Sequence, residues 1–391
     1  MGAGAVRDSG DTAGREILAF DDFAAHLSSP PESPEASHRA CFVRPSPGEG
    51  ARFASLCARH GLVAVDALER QLADLAAVRF PARSDAEERS RFITEQLEAA
   101  GGAVSYGAWA YFAWARTLVH VLPEDAYFEV ITNRNRDKIT VEEQRRLRGK
   151  RVGVMGLSVG AEAAVTVAQE HLCGEIVLAD FDRLDLSNLN RLHAGCDELG
   201  LPKTTIAARR IARIDPWLRV TLYDEGVDEG NLERFLDGLD LLIEECDGLG
   251  MKFDVRRLAK ARGLDIVYAA DERGFLSVEP YATHPELAPF HGLVAARPAA
   301  RESFPTPLAF MKALAEWLGG WSGITGRSRA SLEQLGVTLC GYPQLASEAR
   351  FAAGQIGHVA RRLLLREPLA PYVRQLDLEE ILPLSPGGTG V

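Results

Sequence analysis

Arg151-Val-Gly-Val-Met-Gly-Leu-Ser-Val-Gly160 joins a short hydrophobic run to a glycine-containing turn. An alanine-rich stretch follows, and a second hydrophobic run, Glu175-Ile-Val-Leu-Ala-Asp180, ends in an acid. This pattern predicts a strand, a tight turn, a helix and a second strand. The helix N-terminus offers N–H groups to phosphate, and the acid accepts ribose hydroxyls. The stretch is therefore predicted to hold a nucleotide, with Asp180 at the ribose.

Strands and helices continue to alternate beyond this unit. Further strands are predicted at 218–223, 240–244 and 265–268, and further helices at 202–214, 231–235 and 252–262. The alternation predicts an α/β fold with a Rossmann-like, doubly wound and mostly parallel sheet. Past residue 275 a helix is expected near 307–318. A longer one carries an apolar stripe from Leu345 to Leu363 that could cover a sheet edge or a second subunit.

The region before this sheet is predicted to be mainly helical, from about residue 51 to 120. Its aromatic cluster (Trp109, Tyr111, Phe112 and Trp114) is interpreted as a small helical core within Tyr106–Val121.

The bulk composition excludes several classes of protein. The net charge of -11 over 391 residues argues against nucleic acid as the main partner, because phosphate backbones require a basic surface. No apolar run is long enough to span a membrane, and the start has no apolar signal core, so a cytoplasmic protein is expected. The six cysteines form no Cys-x-x-Cys pair, so neither a disulfide framework nor a zinc knuckle is indicated.

Three later residues distinguish between possible nucleotides. Arg191 follows the acid in a loop, Lys203 stands at a predicted helix N-terminus, and Asp247 follows a strand at the carboxyl end of the sheet. Two cations and a carboxylate in one crevice suit a triphosphate with Mg²⁺. A dinucleotide site needs none of them, so ATP is favoured over NAD.

At these residues the sequence resembles the ThiF/MoeB family of ubiquitin-activating-enzyme-like adenylyltransferases. The segment Leu-Ala-Asp180-Phe-Asp182-x-x-x-Leu-Ser187-Asn188-Leu-Asn190-Arg191 is similar to the family's second-strand signature. Lys203 after Leu-Pro matches the phosphate-contacting lysine, and Cys246-Asp247-Gly248 is similar to the family's Thr-Asp-Asn segment, which places Asp247 on the metal-binding aspartate. Asn133-Arg-Asn-Arg136 is similar to the family's entry segment.

The resemblance implies a function and a set of site residues. Members activate a carboxylate as an acyl-adenylate, on a peptide, a ubiquitin-like protein or a small acid. ATP and Mg²⁺ are the implied cofactors, and a homodimer is implied in which Arg136 reaches the partner's site. The implied catalytic residues are Arg136, Arg191, Lys203 and Asp247, the last also holding the metal. The implied nucleotide ligands are Gly156, Ser158, Gly160, Asp180, Asp182, Asn188, Arg191 and Lys203.

The implied organisation has five parts. They are a disordered tail (1–15), a mainly helical domain (16–125), an ATP-binding adenylation domain (126–281), an extension for substrate or dimer contacts (282–384) and a flexible tail (385–391).

One departure from the family leaves an alternative open. The family's turn reads Gly-x-Gly-Gly-x-Gly, whereas Ser158 and the β-branched Val159 stand in this turn. The chain could therefore be a catalytically degenerate nucleotide-binding scaffold or partner subunit. An NAD-dependent oxidoreductase is disfavoured by the three phosphate-site residues.

Side chains outside that set are given ordinary roles. Cys340 is expected to be an inert core thiol. Cys246 is not expected to be a nucleophile, because the neighbouring Asp247 would raise its pKa. His284 and His291 are expected to be surface-loop histidines.

Overall fold

The computed structural model describes residues 16–30, 33, 35–82, 86–298, 303–317 and 323–376. These residues cluster into an N-terminal unit (16–144 and 208–218) and a C-terminal unit (145–207 and 219–376). The two predicted tails, 1–15 and 385–391, lie outside the described residues. Within the described part of the chain, no helix combines the length and apolar character needed to cross a bilayer.

The N-terminal unit contains a mixed five-stranded sheet as well as helices. Its strands are β1 (Ile17–Leu18), β2 (Cys41–Val43), β3 (Val63–Val65), β4 (Ala108–Phe112) and β5 (Thr117–Val121), in the order β1-β2-β4-β5-β3. Its helices are α1 (Phe20–Ser28), α2 (Gly50–Arg59), α3 (Leu68–Arg79), α4 (Ala86–Ala99), α5 (Glu124–Ile131) and α6 (Val141–Arg148), whose last residues belong to the C-terminal unit. Helices α2, α3 and α4 lie in the region predicted to be helical, whereas the sheet was not predicted.

The helical interpretation of Tyr106–Val121 was wrong, because β4 and β5 form an antiparallel pair there. Side chains of a strand alternate between two faces. Trp109 and Tyr111 accordingly pack into one hydrophobic cluster, while Phe112 and Trp114 pack into another. Arg116, with a φ of 49°, lies in the turn that connects the strands. The aromatic cluster therefore belongs to two faces of a sheet rather than to one helical core.

The C-terminal unit is built on seven strands. They are β6 (Arg151–Met155), β7 (Glu175–Ala179), β8 (Arg219–Tyr223), β9 (Leu241–Glu244), β10 (Asp265–Ala269), β11 (Phe275–Glu279) and β12 (Tyr372–Gln375). The helices are α7 (Val159–Gln169), α8 (Lys203–Ile214), α9 (Leu232–Leu236), α10 (Leu249–Arg262), α11 (Pro307–Trp317), α12 (Gly326–Glu333) and α13 (Ala346–Leu364), with residues of α8 from 208 onward in the N-terminal unit.

The sheet order is β12-β11-β10-β9-β6-β7-β8. The neighbours from β10 to β8 pair in parallel, and β11 and β12 extend the sheet antiparallel. The predicted Rossmann-like, doubly wound fold is confirmed, with every predicted strand within one or two residues of its place. The strands form because their runs are buried on both faces, as helix-covered parallel strands are.

Strand register brings three loops to one point. Met155, at the end of β6, pairs with Ala179 of β7 on one side and with Glu244 of β9 on the other. After β6 the chain continues to β7 on one side of that strand, and it later returns to β9 on the other side of it. The position beside β6 is therefore the topological switch point, where such folds bind ligands. Gly156, Asp180 and Glu245 therefore begin three adjacent loops.

The long helix α13 covers a face of this sheet. It packs against α7 and against β9, β10 and β11. The approach to α7 is close, since a Cβ on Gly357 would lie 2.8 Å from Thr166 Cγ2. The predicted stripe is buried from Ala349 to Leu363, but Leu345 precedes the helix and is 60% exposed, so it does not belong to the stripe.

Candidate nucleotide site

The turn after β6 requires glycine at its first position. Gly156 has a φ of 88°, a backbone conformation that favours glycine. A Cβ there would also clash with the backbone of the loop after β9, including Cys246 N at 2.8 Å. The β6 turn and the β9 loop thus touch backbone to backbone at the switch point.

Ser158, Val159 and Gly160 form the start of α7. Ser158 is the N-cap of α7, makes no side-chain cap hydrogen bond, and is partly exposed. Val159 is the first residue of α7 and only 5% exposed, so its branched side chain packs inward. Gly160 lies over the sheet, where a Cβ would be 3.0 Å from Val154 Cγ1. The first N–H groups of α7 are those that an α-helix leaves without intrahelical partners, so this end suits an anion.

Asp180 holds this turn in place. Its Oδ2 accepts the Leu157 N–H at 2.6 Å and its Oδ1 accepts the Asp182 N–H at 2.7 Å. The residue is 8% exposed, and burial raises the pKa of its carboxyl, although Lys203 and the two N–H groups oppose that shift. The acid that ends β7 thus clamps the glycine turn that follows β6.

Lys203, the first residue of α8, is paired with the next acid. Its Nζ lies 2.6 Å from Asp182 Oδ2, and its backbone N–H donates to the Asp182 carbonyl at 3.0 Å. The lysine side chain is 9% exposed and the aspartate 49%. A buried ammonium is therefore held beside Asp180 by a carboxylate that is open to solvent.

Arg191 reaches the N-terminus of α7. Its Nε donates to Ser158 Oγ at 3.2 Å, and its Nη1 donates to Asn190 Oδ1 at 3.0 Å. Burial lowers the pKa of its guanidinium, while Asp271 and Asp247 oppose that shift. Asn188 closes the preceding 3-10 turn, because its Oδ1 accepts the Asp185 N–H at 2.9 Å.

The carboxylates of Asp247 and Asp271, which follow two neighbouring strands, attract the positive charge of Arg191. Asp247 lies exposed between β9 and α10, and Asp271 follows β10. Burial raises the pKa of the Asp271 carboxyl, although the Gln344 amide donates to its Oδ2 at 2.6 Å. The carbonyl of Gln344 accepts Asn190 Nδ2 at 2.8 Å, which links the Arg191 loop to the segment before α13. Asp271 was not singled out from the sequence, although an acid two residues beyond a buried strand is a recognisable signal.

Comparison with known proteins identifies this part of the chain. Residues 132–300 match the model of the ThiF family. Residues 132–300 form a ThiF family domain.

Several proteins of known sequence are similar to parts of this chain. Uncharacterized protein MT1398 of Mycobacterium tuberculosis is 41% identical over 281 residues, which are 70% of this chain and 38% of that protein. The SAMP-activating enzyme E1 of Haloferax volcanii is 29% identical over 34% of this chain and 50% of its own length. The tRNA threonylcarbamoyladenosine dehydratase of Bacillus subtilis is 33% identical over 34% of this chain and 54% of its own. The chain thus spans about half or less of each relative.

Solved structures give weaker matches. E. coli TcdA in complex with ATP is 20% identical, with a TM-score of 0.45, over 63% of this chain and 98% of that chain. E. coli MccB with ATP is 14% identical, with a TM-score of 0.42, over 76% of this chain and 79% of that chain.

Arg136 lies outside the group described above. It is exposed, follows a 3-10 turn (Asn133–Asn135), and belongs to the N-terminal unit, although the ThiF family domain includes it. Its action on a partner's nucleotide stays a prediction. The other predicted residues lie on the loops after β6, β7 and β9 or at the starts of α7 and α8.

The ThiF family domain also contains a buried ion network that the sequence did not reveal. Glu244 accepts Lys252 Nζ at 3.1 Å, Arg256 Nη1 at 2.5 Å and the Cys246 N–H at 2.9 Å. Arg256 Nε donates to Glu279 at 2.7 Å. Burial opposes the charge of Glu244, but Lys252 and Arg256 outweigh it and hold its pKa at about 2. Since Glu244 also binds the Cys246 N–H, the network anchors the loop that carries Asp247.

The cysteines differ from expectation in two respects. Cys340 is exposed, so its assignment to a core was wrong. The pKa of Cys246 is raised as expected, but burial is the main cause and Glu244, rather than Asp247, is the charge that adds to it. Among the described residues, no three His, Cys, Asp or Glu side chains gather as a metal cage.

Proposed function

We propose that this chain is an ATP-dependent adenylyltransferase that activates a carboxylate as an acyl-adenylate. The observation that carries the proposal is the contact of Arg191 with Ser158 at the N-terminus of α7, beside Asp247 and Asp271. This places a cation and free helix N–H groups at a switch point, where a polyphosphate fits. Membership of the ThiF family supports the same activity at the level of the family.

Each named residue has a role in holding ATP. Gly156, Ser158 and Gly160 let the phosphates approach the start of α7, and Asp180 with Asp182 lies on the ribose side. Lys203 and Arg191 neutralise phosphate charge, and Asn188 keeps the Arg191 loop in shape. Val159 is compatible with this arrangement, because its side chain is buried.

The charges of the site call for a metal counter-ion. Asp180, Asp182, Asp247 and Asp271 provide four carboxylates against the two cations Arg191 and Lys203. A triphosphate would add to an already negative crevice, so a divalent cation is needed for electrostatic balance. Mg²⁺ is commonly held by one or two carboxylates together with substrate phosphates, which fits the exposed Asp247. Bound there, Mg²⁺ would neutralise phosphate charge.

The reaction is a displacement at the α-phosphorus of ATP. A carboxylate oxygen of the substrate forms the new bond to phosphorus, and the bond to pyrophosphate breaks, which leaves the acyl-adenylate. Carboxylates are poor electrophiles, and AMP becomes the leaving group for later attack. The chain contributes positioning and charge stabilisation, since Arg191 and Lys203 are held in place before substrate arrives.

The substrate we propose is the carboxylate of a peptide, a ubiquitin-like protein or a small acid. The names of relatives support this range: SAMP-activating enzyme E1, ubiquitin-like modifier-activating enzyme 5 and tRNA threonylcarbamoyladenosine dehydratase. We further propose a cytoplasmic homodimer in which Arg136 completes the partner's site. Its exposed position is compatible with that role.

The alternative is a nucleotide-binding scaffold without turnover. One observation favours it, because both carboxylate oxygens of Asp180 already accept backbone N–H groups. Each oxygen retains a second acceptor site, so ribose binding is still open to it.

ATP–[³²P]pyrophosphate exchange tests the proposal, with candidate carboxylate substrates encoded near the gene. Exchange should require a carboxylate and fall by at least about a hundredfold in Asp247→Ala and Arg191→Ala. Arg183→Ala is the matched control, since Arg183 lies in the same loop but bonds the Gly200 carbonyl instead. Absence of exchange together with absence of ATP binding in calorimetry would leave the scaffold.

A further inference from the structure

The loop that carries Arg191 is attached to α7 at a second point, one helical turn beyond Ser158. Glu162 on α7 is 5% exposed, and both of its carboxylate oxygens contact His193. Oε1 accepts the His193 backbone N–H at 3.2 Å, and Oε2 lies 2.6 Å from the ring Nδ1. His193 is two residues beyond Arg191 in the chain, so this attachment constrains the same loop that places the Arg191 side chain.

Arg350 of α13 determines which ring nitrogen of His193 carries the proton. Its Nη2 lies 3.0 Å from His193 Nε2. A guanidinium group only donates hydrogen bonds, so Nε2 is the acceptor and the neutral ring carries its proton on Nδ1. Nδ1 therefore donates to Glu162. The three side chains form a line of hydrogen bonds from α13 to α7 across the Arg191 loop, and the direction of each bond is fixed.

The burial of the Glu162 carboxylate makes these hydrogen bonds necessary. A buried charge is strongly unfavourable unless hydrogen bonds or an opposite charge compensate it. An acid in the first turn of a helix also gains from the helix dipole. The dipole requires no contact with His193, whereas the structure gives the carboxylate two such contacts. The pair therefore connects the helix that is expected to meet phosphates with the loop that carries a cation.

The Arg191 side chain depends on this attachment, because its own hydrogen bonds fix it only weakly to α7. Its Nη1 donates to the Ser187 carbonyl at 3.4 Å and to Asn190 Oδ1 at 3.0 Å. Both partners belong to the same loop, so they move with Arg191. The bond from its Nε to Ser158 on α7 is 3.2 Å long, at the upper end for an N–H···O bond, whereas the His193–Glu162 bond is 2.6 Å. The stronger tie between loop and helix is therefore made by Glu162.

We propose that Glu162 and His193 are positioning residues, which hold Arg191 at the N-terminus of α7 before a nucleotide binds. The inference rests on the proposed function, because that function assigns Arg191 to a phosphate. Glu162 is buried and both ring nitrogens of His193 are engaged, so the two residues act through Arg191 and not by touching ATP. Pre-organisation lowers the entropic cost of binding, so loss of the pair should weaken nucleotide binding. Neither residue was singled out from the sequence.

Calorimetric titration of the full chain with ATP and Mg²⁺ tests this role. His193→Ala removes the Nδ1 donor at a side chain that is 45% exposed, and it should weaken ATP binding by at least about tenfold. His193→Asn should stay within about threefold of wild type, because its side-chain amide can donate to Glu162 in place of Nδ1. Glu198→Gln is the matched control: Glu198 accepts the Gly195 N–H at 2.9 Å a few residues further along the chain. It should change the affinity by less than about twofold.

A double-mutant cycle separates positioning from a general loss of structure. In an Arg191→Ala background, His193→Ala should weaken ATP binding further by less than about twofold, since the residue that it positions is absent. Equal affinities of wild type and His193→Ala, or losses that add in the double variant, would overturn the positioning role and leave the proposed function standing. A wild type that does not bind ATP would overturn the proposed function and this inference with it.

Hydrogen exchange of the protein without nucleotide gives an independent readout. In Glu162→Gln an NH₂ group replaces one carboxylate oxygen, so the side chain no longer offers one acceptor oxygen to each of the two N–H groups of His193. The amides of residues 186–195 should then exchange at least about threefold faster, while those of the other loops keep their rates. Unchanged exchange in residues 186–195 would overturn the positioning role.

Discussion

The Leu157 N–H and the Asp180 carboxylate are joined by a 2.6 Å hydrogen bond. It connects the turn after β6 to the residue that ends β7, across 23 residues of sequence. The acid that the sequence assigns to ribose therefore also has a structural role, since it fixes the turn on which phosphates are expected to rest.

Asp180→Ala should lower the free energy of unfolding by about 2 kcal/mol in the absence of nucleotide. The substitution leaves the N–H groups of Leu157 and Asp182 without their acceptor, and a buried unsatisfied donor costs about 1–3 kcal/mol. Urea unfolding followed by circular dichroism measures the change. The exposed Asp197→Ala is the control and should stay within about 0.5 kcal/mol of wild type. Equal effects of both substitutions would mean that the two hydrogen bonds accepted by Asp180 contribute nothing to stability.

Gly156→Ala should destabilise the protein much more than Gly200→Ala. Both glycines have positive φ, at 88° and 83°, so each substitution strains the backbone by about 1–2 kcal/mol. A Cβ on Gly156 would in addition collide with the backbone of Glu245 and Cys246, whereas nothing lies within 4 Å of one on Gly200. Thermal unfolding of the two variants isolates the effect of the collision. Matching losses would show that the β9 loop moves away at little cost.

Lys252→Met should cost about 3–5 kcal/mol, because it leaves part of the charge of the fully buried Glu244 without a partner. Lys150→Met is the matched control: its ion pair with Asp240 is 26% exposed on both sides and should be worth at most about 1 kcal/mol. Chemical denaturation gives both values. A loss as small as that of the control would show that Arg256 alone compensates Glu244.

Glu348 should make stability depend on pH in mildly acidic solution. Burial, together with Asp271 and Glu272, raises the pKa of its carboxyl to about 6 from an ordinary value of 4.5. The folded state therefore binds the proton more tightly than the unfolded state. The resulting stabilisation is complete below pH 4.5 and is lost as the pH rises to about 6.

The measurement is the difference in unfolding free energy between wild type and Glu348→Gln, across that range of pH. We expect the wild type to lose about 1 kcal/mol relative to the variant as the pH rises, after allowance for screening of this partly exposed group. A difference that stays constant with pH, or that changes in the opposite direction, would contradict the assigned shift.

The predicted strands of the C-terminal unit were confirmed because their signal is local. A run such as Val152–Met155 is apolar on both faces, and only a helix-covered parallel strand requires that pattern over so few residues. The helical prediction for Tyr106–Val121 was wrong because its sequence signal does not distinguish between a helix and a strand. Its aromatic residues satisfy a helical spacing as well as an alternating one, and the choice was made by the pairing of β4 with β5.

Local sequence thus specified the glycine turn, the residues Asp180, Arg191, Lys203 and Asp247, and the alternation of strands and helices from which a mostly parallel sheet was predicted. The proximity of Asp271 to Arg191 and the Glu244–Lys252–Arg256–Glu279 network depended on the folded chain, because their members are brought together across strands and a helix rather than by sequence spacing. A charged side chain that is removed from water must be paired with an opposite charge, because a buried unpaired charge is strongly destabilising. Tertiary packing decides which side chains are buried together.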